Sequence, residues 1–264
     1  MFRSPGAIAL QLGPLTIRWY GVLIALAVLV GTTLAQREAR RKGLDPEPLM
    51  NTIVIGIVAA LVGARLYYVA FNWDYYAGNL TKILAVWEGG LAIHGGLLGG
   101  LLGGGAYALR RRLPVTHYLD ICAPSLILGQ AIGRWGNFFN QEAFGTPTDL
   151  PWGLFIDPGH RPPALAQFEF FHPTFLYESL WNLLVFTVLV ALLRRPLERS
   201  PGGLFLAYLG LYSAGRFFIE GLRVDSLMLG PLRAAQVVSL LLVAASGAGL
   251  LYLLRAGGPA PRST

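Results

Sequence analysis

YLDICAPSLILGQAIGRWGNFFNQE, residues 118–142, opens as an apolar run able to cross hydrocarbon as a helix and closes on an arginine, two asparagines and a glutamate. An ionisable side chain at membrane depth costs about 2.5–3.5 kcal/mol or more, so it marks a place that needs it. The same alternation recurs along the chain. Apolar runs lie near 19–36, 49–71, 88–108, 118–137, 174–193, 203–221 and 234–254, each long enough or nearly so to span as a helix. Composition agrees: 54% hydrophobic and 13% charged residues, with a mean hydropathy of +0.53, exceed what a soluble domain tolerates. The expectation is an all-α polytopic membrane protein, seven transmembrane helices in one bundle, with residues 1–264 as a single domain. Cys122, the lone cysteine, rules out an internal disulfide and reads as a small core residue.

The connections differ sharply in charge. Arg37, Arg40, Arg41 and Lys42 follow the first run, Arg110, Arg111 and Arg112 the third, Arg194, Arg195 and Arg199 the fifth, and Arg255 and Arg262 the last. Fewer basic residues sit on the opposite side: Arg3, Arg18, Lys82, Arg161, Arg223 and Arg233. This bias puts the amino terminus outside and the carboxy terminus in the cytoplasm. A cleaved signal peptide over 1–34 would export the first basic cluster, against that rule. The net charge of +7 calls for anionic head groups and no nucleic acid. Residues 138–172, rich in proline, glycine and aromatics, are expected to form an irregular external cap. Trp73, Asp74, Tyr75 and Tyr76 suggest an interfacial piece, and residues 1–18 lie outside with a weak amphipathic signal.

Within the third run, Gly95, Gly99 and Gly103 recur every fourth position, as do Gly96, Gly100 and Gly104, the spacing of a flat packing face. Gly95 and Gly96 beside His94 are expected to leave space for a ligand. His94 then reads either as a general base or as a buried hydrogen-bonded histidine. Gln130, Arg134 and Asn137 share one helical face, with Asn140 and Glu142 beyond it. Arg134 could snorkel to the interface or be held by those acceptors for a task. Tyr212, Arg216, Glu220 and Arg223 repeat the pattern, two arginines bracketing one carboxylate, and the leftover positive charge suits an anion. His172 precedes the proline that opens the fifth run, whose external end carries Tyr177, Glu178, Trp181 and Asn182.

GRWGNFFNQEAFG, residues 133–145, resembles the signature of the prolipoprotein diacylglyceryl transferase family, bacterial inner-membrane enzymes. WYG at 19–21, HGG at 94–96, HPTFLYE at 172–178 and GRFFIEGLR at 215–223 are similar too, in the family's order and over essentially the whole chain. The resemblance implies a multi-pass protein of the bacterial cytoplasmic membrane. It would transfer an sn-1,2-diacylglyceryl group from phosphatidylglycerol to the lipobox cysteine of a prolipoprotein signal peptide, form a thioether and release glycerol 1-phosphate.

Arginine forks grip phosphate bidentately and neutralise charge growing on a leaving group, which makes Arg134 and Arg216 the expected clamp. His94 is the leading base for the incoming thiol, although a thiol pKa depressed beside the arginines would serve without one. Glu142 and Glu220 would orient the arginines. Tyr20, Asn137 and Asn140 would bind head-group or peptide atoms, and Gly145 would permit a tight turn. His172, Tyr177, Glu178, Tyr212 and Arg223 complete the expected substrate contacts. No HExxH motif or paired-carboxylate spacing is visible, so neither metal nor other cofactor is expected. Two other classes answer to parts of the pattern. A transporter of anionic solutes should show internal repetition, and none is convincing; a serine protease would rest on Ser213, whose replacement the transferase reading predicts to be harmless.

Overall fold

A computed structural model describes residues 2–256 apart from 14, 87 and 88. Arg262, counted above among the inner basic residues, lies outside the described residues. A helix covers most of each apolar run: α1 (Trp19–Arg41), α2 (Pro46–Phe71), α4 (Ile93–Arg110), α5 (Val115–Asn140), α6 (Thr174–Thr187, continued by a wider turn over Val188–Leu193), α7 (Gly203–Glu220) and α8 (Ala234–Ala256); the run at 88–108 turns helical only at Ile93, and its residue 88 lies outside the described residues. The short α3 (Trp73–Ala77) follows α2. Among the described residues, Trp19–Arg41, Pro46–Phe71, Thr174–Leu193 and Ala234–Arg255 are long and apolar enough to cross a membrane. Glycines dilute α4, and arginines, carboxylates and amides dilute α5 and α7.

Strands also occur, which corrects the all-α expectation. β1 (Phe2–Arg3) pairs in parallel with β4 (Leu154–Phe155), and β4 pairs antiparallel with β5 (Phe170–Phe171). The segment 138–172 is therefore tied by a small sheet. Two hairpins complete the set, β2 (Ile8–Leu12) with β3 (Leu15–Arg18) and β6 (Met228–Leu229) with β7 (Leu232–Arg233). Each is a few residues wide, too short to announce itself by alternation against apolar surroundings.

The chain divides into two compact units, Gln36–Tyr118 and the pair Met1–Ala35 with Leu119–Thr264. In the first, α2 and α4 meet through their small residues. A methyl at Gly63 would collide with the carbonyl oxygen of Gly95, and one at Gly99 with that of Ala59. Leu97, Leu98, Leu101 and Leu102, off that face, are exposed. Backbone contact replaces side-chain burial here, and the leucines are left for hydrocarbon, as helix association in lipid requires.

In the second unit, Ala123 and Ile127 of α5 are buried with Val185, Leu189, Leu204, Ala207 and Tyr208. A further cluster gathers Phe144, Leu154, Ile156, Phe171 and Phe175. Buried Asp120 of α5 accepts from the backbone N–H of Gly202 and Phe205, 2.8 Å each, which satisfies orphan donors where α7 starts. Near the other end of α7, Gly215 lies against the Trp181 indole, whose Nε1 donates to Leu211 O at 2.9 Å. These contacts fix the rotation of the helix that carries Arg216.

Candidate functional site

In the unit that contains α6, α7 and most of α5, two helices present charge to one buried carboxylate on a third. Arg134 Nη2 of α5 lies 2.5 Å from Glu178 Oε2 of α6, and Arg216 Nη1 of α7 lies 2.5 Å from Glu178 Oε1. Arg216 also reaches Glu220 Oε2 through Nη2, at 2.5 Å. The carboxylates of Glu178 and Glu220 are each 5% exposed, against 21% for Arg134 and 17% for Arg216. Isolated charges at that depth would be prohibitive, so each must be paired. Among the described residues, Arg134 touches a carboxylate only through Nη2, and that pairing does not use its Nε–H and Nη1–H donors.

The strand-like exit from α7 adds a third guanidinium. Arg223 holds Asp225 bidentately, Nε to Oδ1 at 2.9 Å and Nη2 to Oδ2 at 2.7 Å, and stands 3.9 Å from Glu178 and 4.0 Å from Glu220. Partial burial alone would raise the Asp225 carboxyl, but the hydrogen bond and charge of Arg223 hold it below the usual carboxylate range. Ser226 Oγ donates to Glu220 Oε1 at 2.6 Å, and the Arg233 guanidinium donates to the Glu220 carbonyl.

This arrangement corrects several sequence expectations. Glu142 does not orient Arg134: it accepts from Asn137 Nδ2 at 3.0 Å and Asn140 Nδ2 at 3.3 Å, and Glu178 takes the arginine instead. Helical spacing places neighbours along one helix, whereas this pairing crosses between helices, which periodicity cannot show. The surplus positive charge inferred for Arg216 and Arg223 is also cancelled, since Glu178 and Asp225 join Glu220. Only with Arg233 does the group hold four guanidiniums against three carboxylates.

Gly145 makes no tight turn. It lies in extended pairing, its N–H donating to His172 O at 2.9 Å, and a Cβ there would come 2.7 Å from His172 Cβ. The unusual backbone belongs to Gln141 (φ 53°) and Ala143 (φ 58°), left-handed non-glycine residues that carry strain in the quoted signature.

Other candidates fall around this centre. Tyr20 of α1 packs its ring over Gly136, where any side chain would collide. Tyr212 stacks on Tyr208, centroids 6.1 Å apart, and the Tyr208 hydroxyl accepts from Gln130 Nε2 at 3.0 Å. Tyr177 OH accepts from Trp152 Nε1 at 2.9 Å and lies 3.2 Å from His172 Nδ1. The same tyrosine borders an apolar cavity of about 560 Å³ between α6 and α7, walled by Leu180, Trp181, Leu184, Phe218 and Ile219.

His94 belongs to the other unit. Its ring faces Tyr67 with centroids 6.1 Å apart, and the side chain is exposed. The space expected at Gly95 and Gly96 is taken by helix packing: Gly95 abuts Gly63 and Tyr67, and Gly96 abuts Ala60 and Ala64. Asp225, Ser226 and Arg233 carry no signal of this kind in the sequence. Only the Arg-Val-Asp spacing of 223–225 hinted at the first.

A family model described as prolipoprotein diacylglyceryl transferase matches residues 7–252. The chain is 55% identical over 260 residues to a phosphatidylglycerol–prolipoprotein diacylglyceryl transferase of Thermosynechococcus vestitus, covering 98% of this chain and 97% of that one. Similar proteins of the same name occur in Trichormus variabilis, 53% identical with 99% and 94% covered, and in Gloeobacter violaceus, 50% identical with 96% and 95% covered.

Proposed function

Because the chain belongs to the prolipoprotein diacylglyceryl transferase family, we propose that it moves the sn-1,2-diacylglyceryl group of phosphatidylglycerol onto the lipobox cysteine of a prolipoprotein. The substrate thiol loses its proton, its sulfur attacks the glycerol carbon, the bond from that carbon to the phosphate oxygen breaks, and glycerol 1-phosphate leaves. This is the first step of bacterial lipoprotein maturation. The protein's place is the bacterial inner membrane. There it works as one functional domain with seven crossings, the amino terminus and the 138–172 cap outside and the carboxy terminus in the cytoplasm.

The observation that carries this reading is the pair Arg134 and Arg216 on one buried carboxylate, from two different helices. A phosphate entering there meets preset guanidiniums in a site nearly closed to water, where such groups stabilise charge that develops on the leaving oxygen. It shares them with Glu178 through the Nε–H and Nη1–H donors of Arg134, and Arg233 supplies the one positive charge in excess of the three carboxylates. Glu220 holds Arg216 in orientation, and Arg223 steadies both carboxylates. Asn137 and Asn140 fix Glu142, and with Tyr20 they bind head-group or peptide atoms. Gly145 brings His172 close, while Tyr177 and Tyr212 line the substrate contacts. His94 takes the thiol proton.

The test is a purified-protein transfer assay with phosphatidylglycerol and a lipobox peptide. Arg134→Ala and Arg216→Ala should each lower turnover about 10²–10³-fold while the protein stays inserted. Full activity in either variant removes that arginine from the mechanism. Ser213→Ala should keep activity.

A further inference from the structure

Arg65 stands apart from the arginines already used. It is an α2 residue, 6% exposed, yet its guanidinium is spent on main chain. Nε donates to Ile83 O at 2.8 Å; Nη1 donates to Gly89 O at 2.6 Å and Gly90 O at 3.0 Å; Nη2 donates to Lys82 O at 2.6 Å and Ala85 O at 3.2 Å. The ring of Tyr76 covers it at 5.3 Å. One side chain thus gathers five carbonyls of the connection that leads into α4.

Gly89 (φ 90°) and Gly90 (φ 74°) are left-handed, a conformation open to glycine but not fixed by it. A Cβ at Gly90 would lie 2.6 Å from Arg65 Nη1 and 2.7 Å from Tyr68 Cε1, so the backbone is sandwiched between them. The next tie comes from the same stretch of α2, with Ala92 N donating to Ala64 O at 3.0 Å. Helix α4 begins one residue later, and His94 is its second residue. Tyr67, two positions past Arg65, then faces the His94 ring.

We propose that Arg65 is a positioning residue for His94: by clamping the carbonyls of Lys82, Ile83, Ala85, Gly89 and Gly90 it fixes where α4 starts, and hence where the imidazole stands. The inference rests on the reading of His94 as the acceptor of the thiol proton. A lysine has one ammonium in place of a three-nitrogen fork and cannot reach all five oxygens.

The experiment is steady-state transfer by Arg65→Gln, Arg65→Lys, His94→Gln and the double variant Arg65→Gln/His94→Gln, with hydrogen exchange on each protein. Arg65→Gln should lower kcat at least about tenfold, with KM for phosphatidylglycerol within about twofold, because the phosphate contacts lie on other residues. Arg65→Lys should fall between it and the parent, which covers the case in which the glutamine variant fails to insert. Exchange should quicken over 83–96 and not over 99–110. The double variant should be no slower than His94→Gln alone, the signature of two residues acting through one group. An unchanged kcat in Arg65→Gln beside an inactive His94→Gln overturns the positioning role and leaves the His94 reading intact, as does a further additive loss in the double variant. Full activity of His94→Gln removes His94 from the chemistry and this inference with it.

Discussion

Glu178 is the residue on which the charge balance turns, since two guanidiniums share its carboxylate inside the fold. Removing one member of a buried network leaves the others uncompensated, at a cost of about 3–5 kcal/mol. Glu178→Gln should therefore lower thermal stability. Added phosphatidylglycerol should then raise the melting temperature of this variant more than that of the parent, because a bound anion restores the missing charge. Equal shifts would mean that the phosphate does not meet these arginines. The Arg223 and Asp225 pair makes a second prediction at this scale. The Asp225 carboxyl is held low in the folded protein, so its contribution is complete above the ordinary aspartate range and is lost as pH falls through the lowered value. The stability gap between Asp225→Asn and the parent should be flat through neutral pH and close only in acid below about pH 4, the ordinary aspartate value. A gap that closes on the alkaline side would contradict the pairing.

Among the elements, α2 and α4 test how a membrane helix pair is built. Gly99→Leu should disrupt their unit, because its side chain would drive into the Ala59 carbonyl; such overpacking costs about 1–3 kcal/mol or more. Gly105→Ala meets nothing within 4 Å and should stabilise α4 by up to about 1 kcal/mol, the helix-propensity difference. Thermal unfolding of the two variants decides the matter, and a reversed order would refute the packing. Helices were the legible part of this chain, since a run of 20 apolar residues declares itself. The glycine face was legible for the same reason, being a period along one helix. What periodicity could not supply was contact between helices: it gave Arg134 to Glu142, when Glu178 was the partner. Nor could it show that Gly95 and Gly96 hold α4 against α2 instead of opening a ligand space.

At the scale of the whole molecule, the proposed topology has the 138–172 segment outside and the 194–202 connection in the cytoplasm, on the charge bias of the connections. In a Cys122→Ser background, Gly159→Cys should react with a membrane-impermeant thiol reagent added to right-side-out vesicles, and Arg199→Cys only after the membrane is opened. The opposite labelling would invert the topology. The proposed orientation would put the arginine cluster at the outer leaflet; the small β1–β4–β5 sheet ties the amino-terminal strand to the 138–172 segment. The most direct trial of the whole account is the structure of the protein with phosphatidylglycerol bound. The phosphate oxygens should lie about 2.7–2.9 Å from guanidinium nitrogens of both Arg134 and Arg216, the distance of a charge-assisted hydrogen bond. A head group found elsewhere, with Glu178 still occupying both arginines alone, would contradict it.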